Sequence, residues 1–170
     1  MSKRDLKKYL TDLTKSQVED QLLELYDKFP EVKAYYDFVF NPREEKLLRE
    51  AKAKVSNEYF PIKTKKAKLR RSVAQKVIKQ FLLLGVDPHA TADLMLHNIE
   101  VAQQYSAKRE MRYATFYKSM LNSFQQVVGY ATEKGILQDF IPRLNDVADK
   151  AKQQRWENHH LFSNTTESYS

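Results

Sequence analysis

Eight cations fall within 17 residues: Lys63, Lys65, Lys66, Lys68, Arg70, Arg71, Lys76 and Lys79. Side chains of this type at this spacing could neutralise successive phosphates, because closely spaced cations displace condensed counterions. Tyr59 and Phe60 stand at the entrance of the run, and aromatic faces add base stacking to a basic groove. Charge along the chain is uneven. From Arg43 to Lys79 there are 13 Lys/Arg against 4 Asp/Glu, a net of +9, while the remaining residues carry −2. The chain's excess of +7 therefore comes entirely from this segment. RNA, a ribosome, DNA or an acidic protein would each suit it. A lipid surface suits it least, since no exposed apolar wedge accompanies the charge. The plainer alternative is a solvated Lys-rich linker and helix face, partly neutralised by Glu44, Glu45 and Glu50.

Three other groups of residues carry possible chemistry. His89, Asp93, His97 and Glu100 are spaced i, i+4, i+8 and i+11, which places four metal-ligating types along one helical face. No second helix offers the Glu-x-x-His pattern that would complete a di-metal site. Leu94, Met95, Ile99, Val101 and Ala102 set the core side of that helix, so the four read as a solvated polar face, with Gln103 beside them. Tyr35, Tyr36, Phe38 and Phe40 form an aromatic cluster, either a partner or base-stacking surface or, by default, the cap of a helical core. Motifs for nucleotide, Ser-hydrolase, zinc-protease and EF-hand chemistry are absent. Ser72, Ser119 and Ser123 sit in helical patterns with no evident base partner. The expectation is a non-catalytic binding protein without a cofactor; the alternatives are a protein–protein adaptor using the aromatic N-terminal surface or a hairpin groove and, third, a metal-dependent enzyme on the His89–Glu100 face.

The elements that would position these residues are helices. Ser2 can cap a short first helix, and Thr14 with Gln17 has capping-box form for a second, VEDQLLELYDKF. Pro30 suits the first turn of a third helix, PEVKAYYDFVF, with a loosely wound aromatic stretch as the alternative. Asn41-Pro42 with Glu44 predicts a helix to about Tyr59, with Leu47, Leu48, Ala51, Val55 and Tyr59 on one face. Phe60-Pro61 stops it and opens a basic linker over 60–66. A basic helix is predicted from about Ala67, with Val73, Val77, Phe81 and Leu84 facing the core and Lys68, Arg71, Gln75 and Lys79 facing away. Gly85 is the expected left-handed stop, and Asp87-Pro88 starts the next helix, making an antiparallel hairpin. A second hairpin follows. Its first helix carries Tyr113, Phe116, Tyr117, Met120, Leu121, Phe124, Val127, Val128 and Ala131 as an apolar stripe, and Gly135 ends it. The last helix runs from Ile136 to about Trp156, with Pro142 near its first turns. Trp156 reads as an aromatic anchor of that helix or an interface residue.

Hydrophobic residues make up 42% of the chain and aromatics 12%, which supports packing over disorder. The absence of cysteine excludes disulfides, thiolate metal sites and Cys nucleophiles. The N-terminus has charge but no apolar signal-peptide core, and the most continuous apolar run, Phe81 to Leu84, is far too short to span a bilayer. A cytoplasmic protein is the expectation.

The runs YYDFVFNP (35–42), EYFP (58–61), RRSVAQKVIKQFLLLGVDP (70–88), ADLMLHNIE (92–100) and FYKSMLNSF (116–124) are similar to those of a group of small all-helical bacterial proteins, of the Bacteroidetes type, that forms a domain of unknown function. The resemblance covers nearly the whole chain except its tail. It implies a helical domain and brings no catalytic or ligand residue with it. The opening LKKYLTDLTKSQVEDQLLELY (6–26) is also similar in helix length and spacing to the SAP-type DNA-binding helix pair, although it lacks the glycines of that motif's turn. The expected architecture is an all-α bundle of about six to seven helices in one domain over 1–160. Its parts are N-terminal helices over 2–59, the linker, and two C-terminal αα-hairpins over 67–158. A frayed polar tail is expected over 161–170.

Overall fold

A computed structural model of the chain describes residues 2–64, 66–109 and 111–167. These form nine helices and no strand: α1 Lys3–Thr11, α2 Lys15–Lys28, α3 Pro30–Phe40, α4 Glu44–Tyr59, α5 Arg71–Leu84, α6 Pro88–Ser106, α7 Ala114–Glu133, α8 Leu137–Gln153 and α9 His159–Glu167. The all-α class follows from the sequence as expected. Contacts group the chain into two compact units, Met1–Pro42 and Arg43–Ser170, where the sequence suggested one domain.

The first unit is a short helical array. Ser2 and Thr14 both close reciprocal capping boxes, with Asp5 and Gln17 respectively, so two helix starts satisfy their own orphan N–H groups. Pro30 occupies the first turn of α3, which packs against α2. The Tyr26 hydroxyl donates to Asp37 Oδ1 at 2.8 Å across that pair. None of the described residues in α1, α2 or α3 is buried.

The second unit holds the core. Its central element is α6, which packs against α4, α5, α7 and α8. The Asp87 carboxylate caps it, accepting from the N–H groups of His89 and Ala90, and Pro88 fills its first position. Gly85 closes α5 at φ 69°, the left-handed conformation that favours glycine. Phe81 of α5, Leu94, Leu96 and Ile99 of α6, and Phe124 and Val127 of α7 have no exposed surface. Each fully buried side chain of this size contributes roughly 1.5–3 kcal/mol.

Four local expectations are corrected. First, α4 begins at Glu44 with Arg43 as its cap; Asn41 instead ends α3, its N–H donating to Asp37. Second, α5 begins at Arg71 rather than near Ala67, because Leu69 takes φ 54° and the N–H groups of 68–70 bond to Glu58 instead of forming a helical turn. Third, the tail is ordered over 159–167: α9 drives Phe162 to full burial, with its ring 5.0 Å from Phe124 and 5.7 Å from Trp156. Trp156 is a core residue, also flanked by Phe116 and Tyr117. Fourth, the polar side of α6 is largely covered: Asp93, His97 and Glu100 are half-buried, and of the four only His89 stays exposed.

Candidate polyanion interface

The basic segment is organised by one buried carboxylate. Glu58 ends the buried face of α4, and its side chain keeps only 8% of its surface exposed. Its backbone carbonyl accepts the N–H groups of Lys68 and Leu69, at 3.0 and 3.1 Å. Its Oε2 accepts the Arg70 N–H at 3.2 Å and Arg70 Nε at 3.0 Å, while Oε1 accepts Nη2 at 2.8 Å. The fork-on-carboxylate geometry is the strong, directional form of a charged hydrogen bond. Arg70's hydrogen bonds hold the Glu58 carboxyl below the usual carboxylate range against the opposing effect of burial, with help from the charge of Lys68. Asn57 Oδ1 accepts the Ile62 N–H, which fixes the other end of the loop. Residues 60–70 are thus tied back to the last turn of α4 at both ends.

This geometry sorts the eight predicted cations. Lys63, Lys66 and Lys68 stand exposed on the pinned loop. Arg70 is committed to Glu58, and Arg71 is half-buried with an Nε that has no hydrogen-bond partner. Lys76 and Lys79 lie on the outer face of α5, away from buried Ala74, Val77, Ile78 and Phe81. Lys65 lies outside the described residues. The predicted aromatic entrance divides as well. Tyr59 is buried, and burial, with the charge of Glu58 adding to it, pushes its phenol up to about 12. Tyr59 therefore cannot stack on a ligand, whereas Phe60 is 41% exposed.

Two cations missed by the sequence reading join this surface. Helices α4 and α6 run parallel: Lys52 faces Asp93, Ser56 faces His97 and Tyr59 faces Tyr105. Their C-terminal ends therefore emerge together, and Lys108 and Arg109 beyond α6 come to lie beside the loop that follows α4. A cleft of about 430 Å³ results, lined by Phe60, Pro61, Thr64, Tyr105, Lys108 and Arg109 among others. The Arg109 guanidinium lies 5.2 Å from the Tyr105 ring centroid and donates to its hydroxyl at 3.1 Å. A second cleft of about 360 Å³ lies along Asn57, Ile62, Lys63, Lys68 and Arg70. The sequence signal was the cluster Lys108, Arg109 and Arg112, but only helix pairing connects it to the loop.

The possible metal set is held by cations and hydrogen bonds. Asp93 meets Lys52 Nζ at 2.6 Å and Arg143 Nη1 at 2.8 Å. Arg143 also donates Nε and Nη2 to the Glu100 carboxylate, both at 3.0 Å. His89 Nε2 is 3.0 Å from Asp139, and His97 Nε2 is 2.9 Å from Ser56 Oγ. Gln103 is buried and donates its amide to the Val147 carbonyl at 2.7 Å. This corrects the solvated face: as the central helix, α6 turns its polar side to α4 and α8, which supply the partners. Burial would raise the Asp93 carboxyl, but Lys52 and Arg143 outweigh it and hold it low. No cluster of three or more metal-ligating side chains stands among the described residues. Ser56 and His97 make a hydroxyl–imidazole pair that the sequence did not connect. Ser56 lies within α4 and His97 within α6, so the pair joins the two helices.

An all-α protein with a pinned basic loop and no metal cluster among its described residues is the class that fold and site define. The chain belongs to the family of unknown function DUF6155, whose model matches residues 1–170. No curated protein and no solved structure matches it.

Proposed function

We propose that this protein is a non-catalytic binding protein that meets a polyanion (RNA, a ribosome or DNA) in the cytoplasm through its basic loop. The observation that carries this reading is the Glu58 staple, which fixes one end of a loop whose Lys63, Lys66 and Lys68 are exposed, while Lys108 and Arg109 line a cleft with Pro61 and Thr64 of the same loop. Cations already fixed in place lose less entropy on meeting phosphates than cations on a floppy linker. The test is fluorescence anisotropy of the untagged protein with labelled RNA and DNA at several salt concentrations. Each neutralised phosphate adds a log–log slope of about −0.7 for single strands or −0.9 for duplex. Changing Lys63, Lys66 and Lys68 together to Ala should flatten the slope and leave the fold intact, because all three side chains are exposed. Arg70 is excluded from that variant, since its loss would strand the Glu58 carboxylate. Absence of binding at low salt overturns the proposal.

A second reading is favoured by the first unit. There Tyr35 is 44% and Phe40 81% exposed, and a cleft of about 340 Å³ is lined by Leu22, Leu23, Tyr26, Tyr36, Asp37 and Phe40. An adaptor binding a protein partner through this surface would keep that partner at high salt and lose it on Tyr36→Ala.

A further inference from the structure

We infer that the cleft between the loop after α4 and the end of α6 is a subsite for single-stranded nucleic acid, with Phe60 as the platform for an unpaired base. The inference rests on the polyanion reading and narrows it. Cations alone do not distinguish single strands from duplexes, since both present phosphates. An exposed ring does, because the faces of paired bases are covered by their neighbours while those of an unpaired strand are open.

The ring in question is held in place without being covered. Phe60 follows α4 directly, its N–H bonds to the Ser56 carbonyl at 2.8 Å, and Pro61 restricts the chain after it. Its ring meets Tyr105 edge-on, with centroids 5.8 Å apart and planes at 66°. Tyr105 is buried and wedged in turn against Tyr59 at 5.9 Å. A platform fixed by a buried aromatic pair loses little freedom when a base lands on it. The surroundings suit the phosphates on either side of that base. Lys108 and Arg109 line the cleft with the Thr64 hydroxyl, and no Asp or Glu is among its described lining residues. The bond from Arg109 to Tyr105 is made by one of five guanidinium N–H donors. The nearby Glu58 carboxylate is answered by Arg70, so it does not repel an incoming anion as an unpaired carboxylate would. At about 430 Å³ the space lies in the range of small-ligand clefts, roughly 300–1,000 Å³.

The experiment compares a labelled oligouridylate, the same length of RNA duplex and polyglutamate, using the full chain at one low salt concentration. The oligouridylate should bind tightest. Phe60→Ala should weaken it by roughly 5- to 150-fold, the worth of one base–aromatic stack, and leave duplex binding essentially unchanged. Phe60→Trp should retain the preference, which separates stacking from mere folding, and circular dichroism checks that both variants are helical. Equal binding of strand and duplex, with Phe60→Ala silent, overturns the inference and leaves the polyanion reading standing. Polyglutamate bound as tightly as the oligouridylate also overturns it. Failure of every probe to bind overturns both.

Discussion

At the scale of single residues, Glu58 is the position whose change separates charge from order. Glu58→Gln removes a negative charge and releases Arg70 from a two-pronged bond, so electrostatics alone would strengthen polyanion binding. It also loosens the Arg70 end of the loop, where only the backbone carbonyl of residue 58 still holds Lys68 and Leu69, and this raises the entropy lost on binding. The expected outcome is a steeper salt dependence, by up to about one phosphate contact, combined with weaker binding at high salt, where ordering matters most. Anisotropy titrations of both proteins across salt should therefore cross. His97 supplies a second residue-scale prediction. Burial and the charge of Lys52 lower its imidazole, with Glu100 and Asp93 opposing in part. Its folded value lies below the ordinary 6.5, so the native chain keeps it neutral where the unfolded chain takes up a proton. Stability from this group is complete above 6.5 and declines as pH falls from there toward the folded value. His97→Gln should flatten that limb when urea midpoints are plotted against pH.

At the scale of elements, the local signals read well and the lateral ones did not. The caps at Ser2, Thr14 and Asp87, the left-handed stop at Gly85 and the stripe Ala51–Val55–Tyr59 all act within one or two turns, and each is where its spacing put it. The polar side of α6 was misread because a face of Asp, His and Glu looks the same whether water or Lys52 and Arg143 answers it. The start of α5 was misread for a related reason: Glu58 takes the N–H groups that would have begun the helix, those of Lys68 and Leu69 on its backbone carbonyl and that of Arg70 on its carboxylate. Helix α9 was hidden because HHLFSNTTE offers only the adjacent pair Leu161 and Phe162 and no apolar stripe, and the burial of Phe162 depends on Phe124 and Trp156. Phe162→Ala should therefore cost about 3–5 kcal/mol, an effect out of reach for a residue in a frayed tail. Chemical denaturation measures it, and Trp156 emission should shift to the red in the variant as its cover is lost.

At the scale of the whole molecule, the two units differ in kind. Residues 1–42 carry 7 Lys/Arg and 8 Asp/Glu, a net of −1, so residues 43–170 hold +8. Every buried residue described lies in the second unit. A chain beginning at Arg43 is expected to keep a cooperative unfolding transition and undiminished affinity for a polyanion, which calorimetry and anisotropy would check. In the full chain, amides of α1 to α3 should exchange with solvent well before those of α6, since local opening there exposes no core. The parallel course of α4 and α6 has an electrical side. The dipole of each helix ends in the equivalent of about half a negative charge, and both ends come out beside Lys108 and Arg109. About one unit of their positive charge is then answered from inside the fold before any ligand arrives. A salt titration should accordingly count about one phosphate fewer than the number of cations lining the surface.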